Sequence, residues 1–173
     1  MNEDHDRFLH FYDQLVLFTH DAVRRLPAGM LHWKPPTDAD VRFGERVEDV
    51  TVENLYLHLV VGEHLWVRNL AAARPEETIP LPLDKEMEAR LVQGDYLAES
   101  LVMHSANMEI LRSFDAERLA TPIVFSNHRW SVGSFLWAIY GHRNYHIGNI
   151  DTFCRLAGAP APDYFQFRDP ELL

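Results

Sequence analysis

Two histidines of this chain, His142 and His146, stand where helical periodicity expects apolar side chains. The series Phe135, Ile139, His142, His146, Ile150, Phe153 advances in steps of three and four and so runs down one face of a helix. Four residues at about 100° each leave the two imidazoles roughly 40° apart and about 6 Å along that face, a spacing at which they can share one ion. A second series, Leu55, His58, Gly62, Leu65, carries one histidine in the same anomalous place. A buried polar group without a partner costs roughly 1–3 kcal/mol, a heavy burden for a marginally stable fold if three imidazoles turn inward. A divalent transition metal would relieve it. Three neutral imidazoles leave the double charge of the ion intact and one coordination position open, the pattern of catalytic zinc sites. The same spacings also suit ordinary core histidines with hydrogen-bond partners, and the residues alone leave both readings open.

The other chemistry-bearing residues are poorer candidates. His5, His10, His20 and His32 have no mutual spacing, His104 stands alone, and His128 falls in a predicted hairpin turn; solvated side chains are expected for most of them. His64 lies about 240° around the helix from His58 and faces elsewhere. Glu63 is the carboxylate best placed in sequence to close the site, but its phase, about 140° from His58, argues against it. Arg143 and Tyr145 lie about 100° off the seam and carry no assigned role. Cys154, the only cysteine, reads as a small packing residue, and with one cysteine there is no disulfide or CxxC motif. HExxH is absent, no Glu or Asp stands three residues before any histidine, and there is neither a GxSxG elbow nor a phosphate-binding glycine loop.

Four helical segments must position these groups. The first runs from about Asp4 to Leu26, with Phe8, Phe11, Leu15, Phe18 and Ala22 on one face, and stops at Pro27 and Gly29. After a proline-rich connector anchored by Trp33, the second opens at Thr51 as N-cap and reaches about Ala73. A third, capped by Asp84 and weakened at Gly94, extends to about Phe114. Ile123-Val124-Phe125, the turn Ser126-Asn127 and Arg129-Trp130 predict a short β-hairpin, and Ser131 caps a last helix reaching Ala157 before Gly158 and Pro160. The expected fold is all-α, a helical bundle with a short β-hairpin before the last helix, in one domain over residues 1–173.

The formal charge of −10 from 16 basic and 26 acidic side chains, with no basic cluster, argues against a nucleic-acid partner. The acidic start Met1 to Asp6 lacks the flank and apolar run of a secretory signal, and no apolar stretch nears the roughly 20 residues that cross a bilayer. A cytoplasmic protein acting on a small molecule is expected, with no membrane partner and with homodimerisation left open.

His58 with Glu63 and Trp66 resembles an H-x4-E-x2-W pattern, and His142 to Ile150 resembles H-x3-H-x-G-x-I. Both are features of the DinB/YfiT-like superfamily of metal-dependent hydrolases and thiol S-transferases, whose W-x-P turn is similar to Trp33-Lys34-Pro35. The resemblance covers about residues 8 to 157. It implies a four-helix bundle in an up-down-down-up arrangement, with His58, His142 and His146 as metal ligands. It also implies an enzyme that joins a bacillithiol- or mycothiol-type thiol cosubstrate to an electrophile, which is the first expectation, a thiol-dependent isomerase, or a metal-dependent hydrolase; the residues themselves leave open a non-catalytic, metal-stabilised stress or binding protein. Zinc is the first expectation for the ion, ahead of nickel, manganese or iron. Where the family often has Arg and Gln after the last histidine, this chain has Ile147 and Asn149, so a substrate role for those polar groups does not carry over.

Overall fold

The computed structural model describes residues 3–34, 47 and 49–160. Among these, the elements follow in the order α1 (Glu3–Arg24), α2 (Ala28–Leu31), α3 (Val52–Ala72), β1 (Glu77–Thr78), α4 (Lys85–Gln93), α5 (Tyr96–Arg112), α6 (Ala116–Ala120), β2 (Pro122–Phe125), β3 (His128–Ser131) and α7 (Val132–Leu156). The predicted caps start their helices. Thr51 Oγ1 accepts from the Asn54 N–H at 3.1 Å, and Asp84 Oδ1 accepts from the Met87 N–H at 2.8 Å. Ser131 and Ser134 form a reciprocal capping box at the head of α7. Each such cap contributes about 1 kcal/mol.

The expected third helix is two. Gly94 caps the C-terminus of α4, its N–H donating to the Leu91 carbonyl at 3.1 Å, and the next residue starts α5, Asp95 Oδ1 accepting from the Ala98 N–H at 3.0 Å. A C-cap and an N-cap in successive residues end one helix and begin another. The short helices α2 and α6 and the strand β1 were not expected. Pro35 and most of the proline-rich connector lie outside the described residues, while Trp33 packs edge-on against Phe153 with ring centroids 6.0 Å apart.

Side-chain pairs give the direction of each long helix. Tyr12 meets Glu63 and His20 meets Tyr56, so α1 and α3 are antiparallel. Asp13 meets His104 and His20 meets Ser100, so α1 and α5 are antiparallel too. Phe8 packs on Trp137 and Phe11 on Tyr140, making α1 and α7 parallel. The four-helix bundle is therefore up-down-down-up, as expected. Strand β2 pairs antiparallel with β3 and parallel with β1, Glu77 opposite Ile123. The hairpin turns through Ser126 (φ 49°) and Asn127 (φ 62°), two consecutive left-handed residues whose twist matches that of the strands they join.

Two apolar clusters fill the interior. One gathers Phe8, Val16, Trp66, Leu70, Met108, Leu111, Phe135 and Ile139; the other gathers Val23, Val52, Leu55, Val60, Ile150 and Phe153. Burying one such Val, Leu, Ile or Phe stabilises by about 1.5–3 kcal/mol. On α7 the two clusters leave a gap at residues 142–146, and on α3 the buried polar residues His58, Glu63 and His64 interrupt the apolar run. The polar centre of the molecule lies there. On α1 the buried stripe differs from the expected one: His5, Phe8, Tyr12, Leu15, Val16, Thr19, His20 and Val23 are buried, while Phe11, Phe18 and Ala22 are only half-buried.

Candidate metal centre

α3 and α7 run antiparallel through this polar layer and bring the three predicted histidines together. One ligand nitrogen each from His58, His142 and His146 lies within 4.8 Å of the others. The ring centroids are 5.1 Å (His58 to His142), 5.0 Å (His58 to His146) and 4.6 Å (His142 to His146) apart, each pair edge to face. His58 and His146 are buried and His142 is half-buried. His58 Nε2 and His142 Nε2 are 3.2 Å apart, a separation that admits an N–H···N bond if one ring donates. It also matches a shared ion, since tetrahedral bonds of about 2.0–2.1 Å place two nitrogens about 3.3–3.4 Å apart. The donor set is all imidazole, which suits zinc, nickel or iron better than magnesium or calcium. The residues present fit such an ion.

Trp66 packs against His142 in a T-shaped contact, at 5.0 Å between centroids. Trp66 in turn is held by Phe125 of β2 and Phe135 of α7, and Trp130 of β3 packs on Phe135. The hairpin thus buttresses the tryptophan beside one of the three histidines.

Glu63 does not join the cluster. Its carboxylate accepts a two-pronged donation from Arg143, Nε to Oε1 at 2.7 Å and Nη2 to Oε2 at 2.6 Å, and a third bond from the Tyr12 hydroxyl at 2.6 Å. All three side chains are buried, Arg143 at 1% exposure. Arg143 therefore occupies the interior, where helix phase had placed it off the seam. The reason is that α7 packs against both α1 and α3, which widens its buried face beyond a single stripe. Burial, followed by the Glu63 charge, pushes the Tyr12 hydroxyl well above its ordinary range, so it stays a donor. Burial is also the largest single influence on Arg143 and opposes its charge, but the charge and hydrogen bonds of Glu63 outweigh it and hold the guanidinium ionised. Removing one member of such a buried pair costs about 3–5 kcal/mol, because the other charge is left unpaired. Opposite charges beside the seams of two facing helices were the signal in the sequence.

Several histidines outside the cluster are also buried, among them His5, His20 and His104, which were expected in solvent. His20 Nδ1 faces the Tyr56 hydroxyl at 2.9 Å, and Tyr56 meets Ser100 Oγ at 2.7 Å. His104 Nε2 lies 2.8 Å from Asp13 Oδ1. His64 faces away from the cluster, as its phase requires: Arg68 Nε donates to His64 Nε2 at 2.7 Å, which assigns the ring proton to Nδ1, 3.0 Å from Asn107 Oδ1. His5 is buried as well. His32 and His128 are exposed, and His128 opens β3 just past the turn. Tyr145 is 60% exposed and Cys154 is fully buried, its thiol pushed up by burial and then by Asp151. Among the described residues no helix is long and apolar enough to cross a membrane.

No curated protein matches the chain. Among solved structures it is similar to YfiT from Bacillus subtilis, a probable metal-dependent hydrolase with an unusual four-helix bundle topology. The identity is 17% and the TM-score 0.64, over 92% of this chain and 91% of that one, a likeness that establishes the bundle fold. The sequence model of one family, the DinB family, matches residues 1–171, nearly the whole length, and so the chain belongs to the DinB family.

Proposed function

We propose that this DinB family chain is a metal-dependent enzyme in which His58, His142 and His146 hold one divalent transition ion and leave a coordination position for the reacting ligand. The observation that carries the reading is the donor set: three convergent imidazoles, with no carboxylate or thiolate joining them among the described residues. A structural zinc site takes a fourth protein ligand; three protein ligands are the pattern of a catalytic one. The residue nearest in sequence to serving as a fourth, Glu63, is committed to Arg143 and Tyr12. Zinc is the ion expected first, and nickel, manganese or iron would find the same ligands. When bound, such an ion would supply Lewis-acid chemistry, lowering the pKa of a coordinated water to about 7 or deprotonating a coordinated thiol.

Two nucleophiles compete in this reading. Hydrolysis is favoured by the fold shared with YfiT, a probable metal-dependent hydrolase. Thiol transfer is favoured by the neutral donor set, which leaves the double charge of the ion for a soft anionic ligand. In that case the thiol must come from outside, because Cys154 is buried and its thiol is held protonated.

Cobalt-loaded protein distinguishes them. Added low-molecular-weight thiols of the bacillithiol or mycothiol class should produce an intense sulfur-to-cobalt absorption band, and conjugation of a chromogenic electrophile should then require both metal and thiol. Ester or amide hydrolysis without thiol, and no band with any thiol, decides for the hydrolase. With neither activity, the chain is a metal-stabilised binding protein and the enzyme reading is lost.

A further inference from the structure

We infer that the buried Glu63–Arg143–Tyr12 clamp is a positioning device for the three-histidine site, setting the phase and height of α7 against α3 so that the imidazoles converge before a metal arrives. The inference rests on the reading of His58, His142 and His146 as metal ligands.

The geometry is direct. Arg143 follows His142 immediately and precedes His146 by three residues, so the guanidinium is fixed to the same turn of α7 that carries both rings. Its partner Glu63 lies five residues beyond His58, about 7.5 Å further along α3. The ion pair therefore ties α3 to the turn of α7 that carries both rings without using the imidazoles themselves. A planar guanidinium donating through Nε and Nη2 to both oxygens of one carboxylate also has a single good orientation, unlike a point charge. Tyr12 brings α1 into the same contact, so three helices are keyed at one carboxylate.

Apolar packing alone would not do this. A face of valines and leucines tolerates small rotations at low cost, and replacing a buried ion pair by apolar residues of similar volume is often neutral or stabilising. A role in stability therefore explains little about why charges stand here, whereas a role in orientation explains the two-pronged geometry and its place beside His142. Outer partners that orient metal-binding side chains typically carry 10- to 100-fold in affinity.

The test separates orientation from stability. In the full-length chain, the double variant Glu63→Leu with Arg143→Met removes both charges, and Arg143→Lys keeps the charge without the fork. Zinc and cobalt affinities are measured by chelator competition, with circular dichroism and melting to follow the fold. The double variant should keep its helical signal and melt modestly below wild type, the buried Tyr12 hydroxyl having lost its acceptor, yet bind metal about 10- to 100-fold more weakly, with an altered cobalt ligand-field spectrum. Arg143→Lys should weaken binding in the same range and keep its helical signal, which preserves the test if the double variant does not fold. Wild-type affinity and spectrum in either folded variant would overturn the clamp as a positioning device and leave the metal site standing. Failure of wild type itself to bind either ion would remove the site and the clamp's role together.

Discussion

Two groups of histidines occupy the same bundle and differ in what they face. Along α1, α3 and α5, the rings of His20, His64 and His104 each meet a hydroxyl, an amide, a guanidinium or a carboxylate. Between α3 and α7, the rings of His58, His142 and His146 meet one another. Partners of different chemistry complete an imidazole: they fix its tautomer and satisfy its burial, and nothing further is required. Rings that converge put several lone-pair-bearing nitrogens at one point, which is useful to a cation and to little else. Convergence, not the count of ten histidines, marks the candidate metal site.

The sharpest test of that division is metal content. His142→Ala should lower metal affinity by at least about 100-fold, since two imidazoles hold a borderline ion far less well than three. His64→Ala and His104→Ala, which remove two of the three completed rings, should purify with wild-type metal. Elemental analysis of untagged protein reads both; full occupancy in His142→Ala would erase the distinction.

A smaller effect is expected on melting. An ion that binds only the folded chain stabilises it by about 2.7 kcal/mol when present at 100 times its dissociation constant. For a chain of this size that is about 5–10 °C, taking about 2–4 °C per kcal/mol. Differential scanning calorimetry before and after verified chelation should show a shift of that order. An unchanged midpoint would argue against a site that joins two helices.

The completed set should reveal itself through acid. The pKa of His64 is lowered from its ordinary 6.5, first by burial and then by the charge of Arg68, and that of His20 is lowered by burial and then by Arg24. The unfolded chain then takes up those protons first, so the stability these residues contribute is complete above about pH 6.5 and falls as pH drops through their folded values. In urea titrations between pH 7.5 and 5, His64→Gln should flatten part of that slope. An identical slope in the variant would show that burial and the neighbouring Arg68 charge do not keep the His64 ring neutral.

How far the sequence disclosed this arrangement depended on the kind of signal. Thr51, Asp84 and Ser131 were legible because a cap is written in residues a few positions apart. The three convergent histidines were legible because a histidine at an apolar position breaks a period. The face of α1 was misread because the periodic phenylalanines Phe11 and Phe18 outweighed Tyr12, Thr19 and His20, which bury their carbon and hand their polar atoms to partners on α3, on α5 or on their own helix. Arg143 and Glu63 were missed for a related reason. A charge off the seam reads as solvated until a neighbouring helix supplies its counter-charge, and that neighbour is 80 residues away in the chain. Long-range complementarity of this kind is set by tertiary packing, not by local period.

The junction between α4 and α5 has a practical consequence. Because Gly94 closes one helix and Asp95 opens the next, neither helix depends on the other for its terminal hydrogen bonds. Extra residues placed between them would lengthen a connection without unwinding either end, and a flexible loop loses only about 0.6 kcal/mol for each doubling of its length. Far in sequence from the histidines on α3 and α7, that joint is a natural place to graft a fluorophore tag or a sensor module.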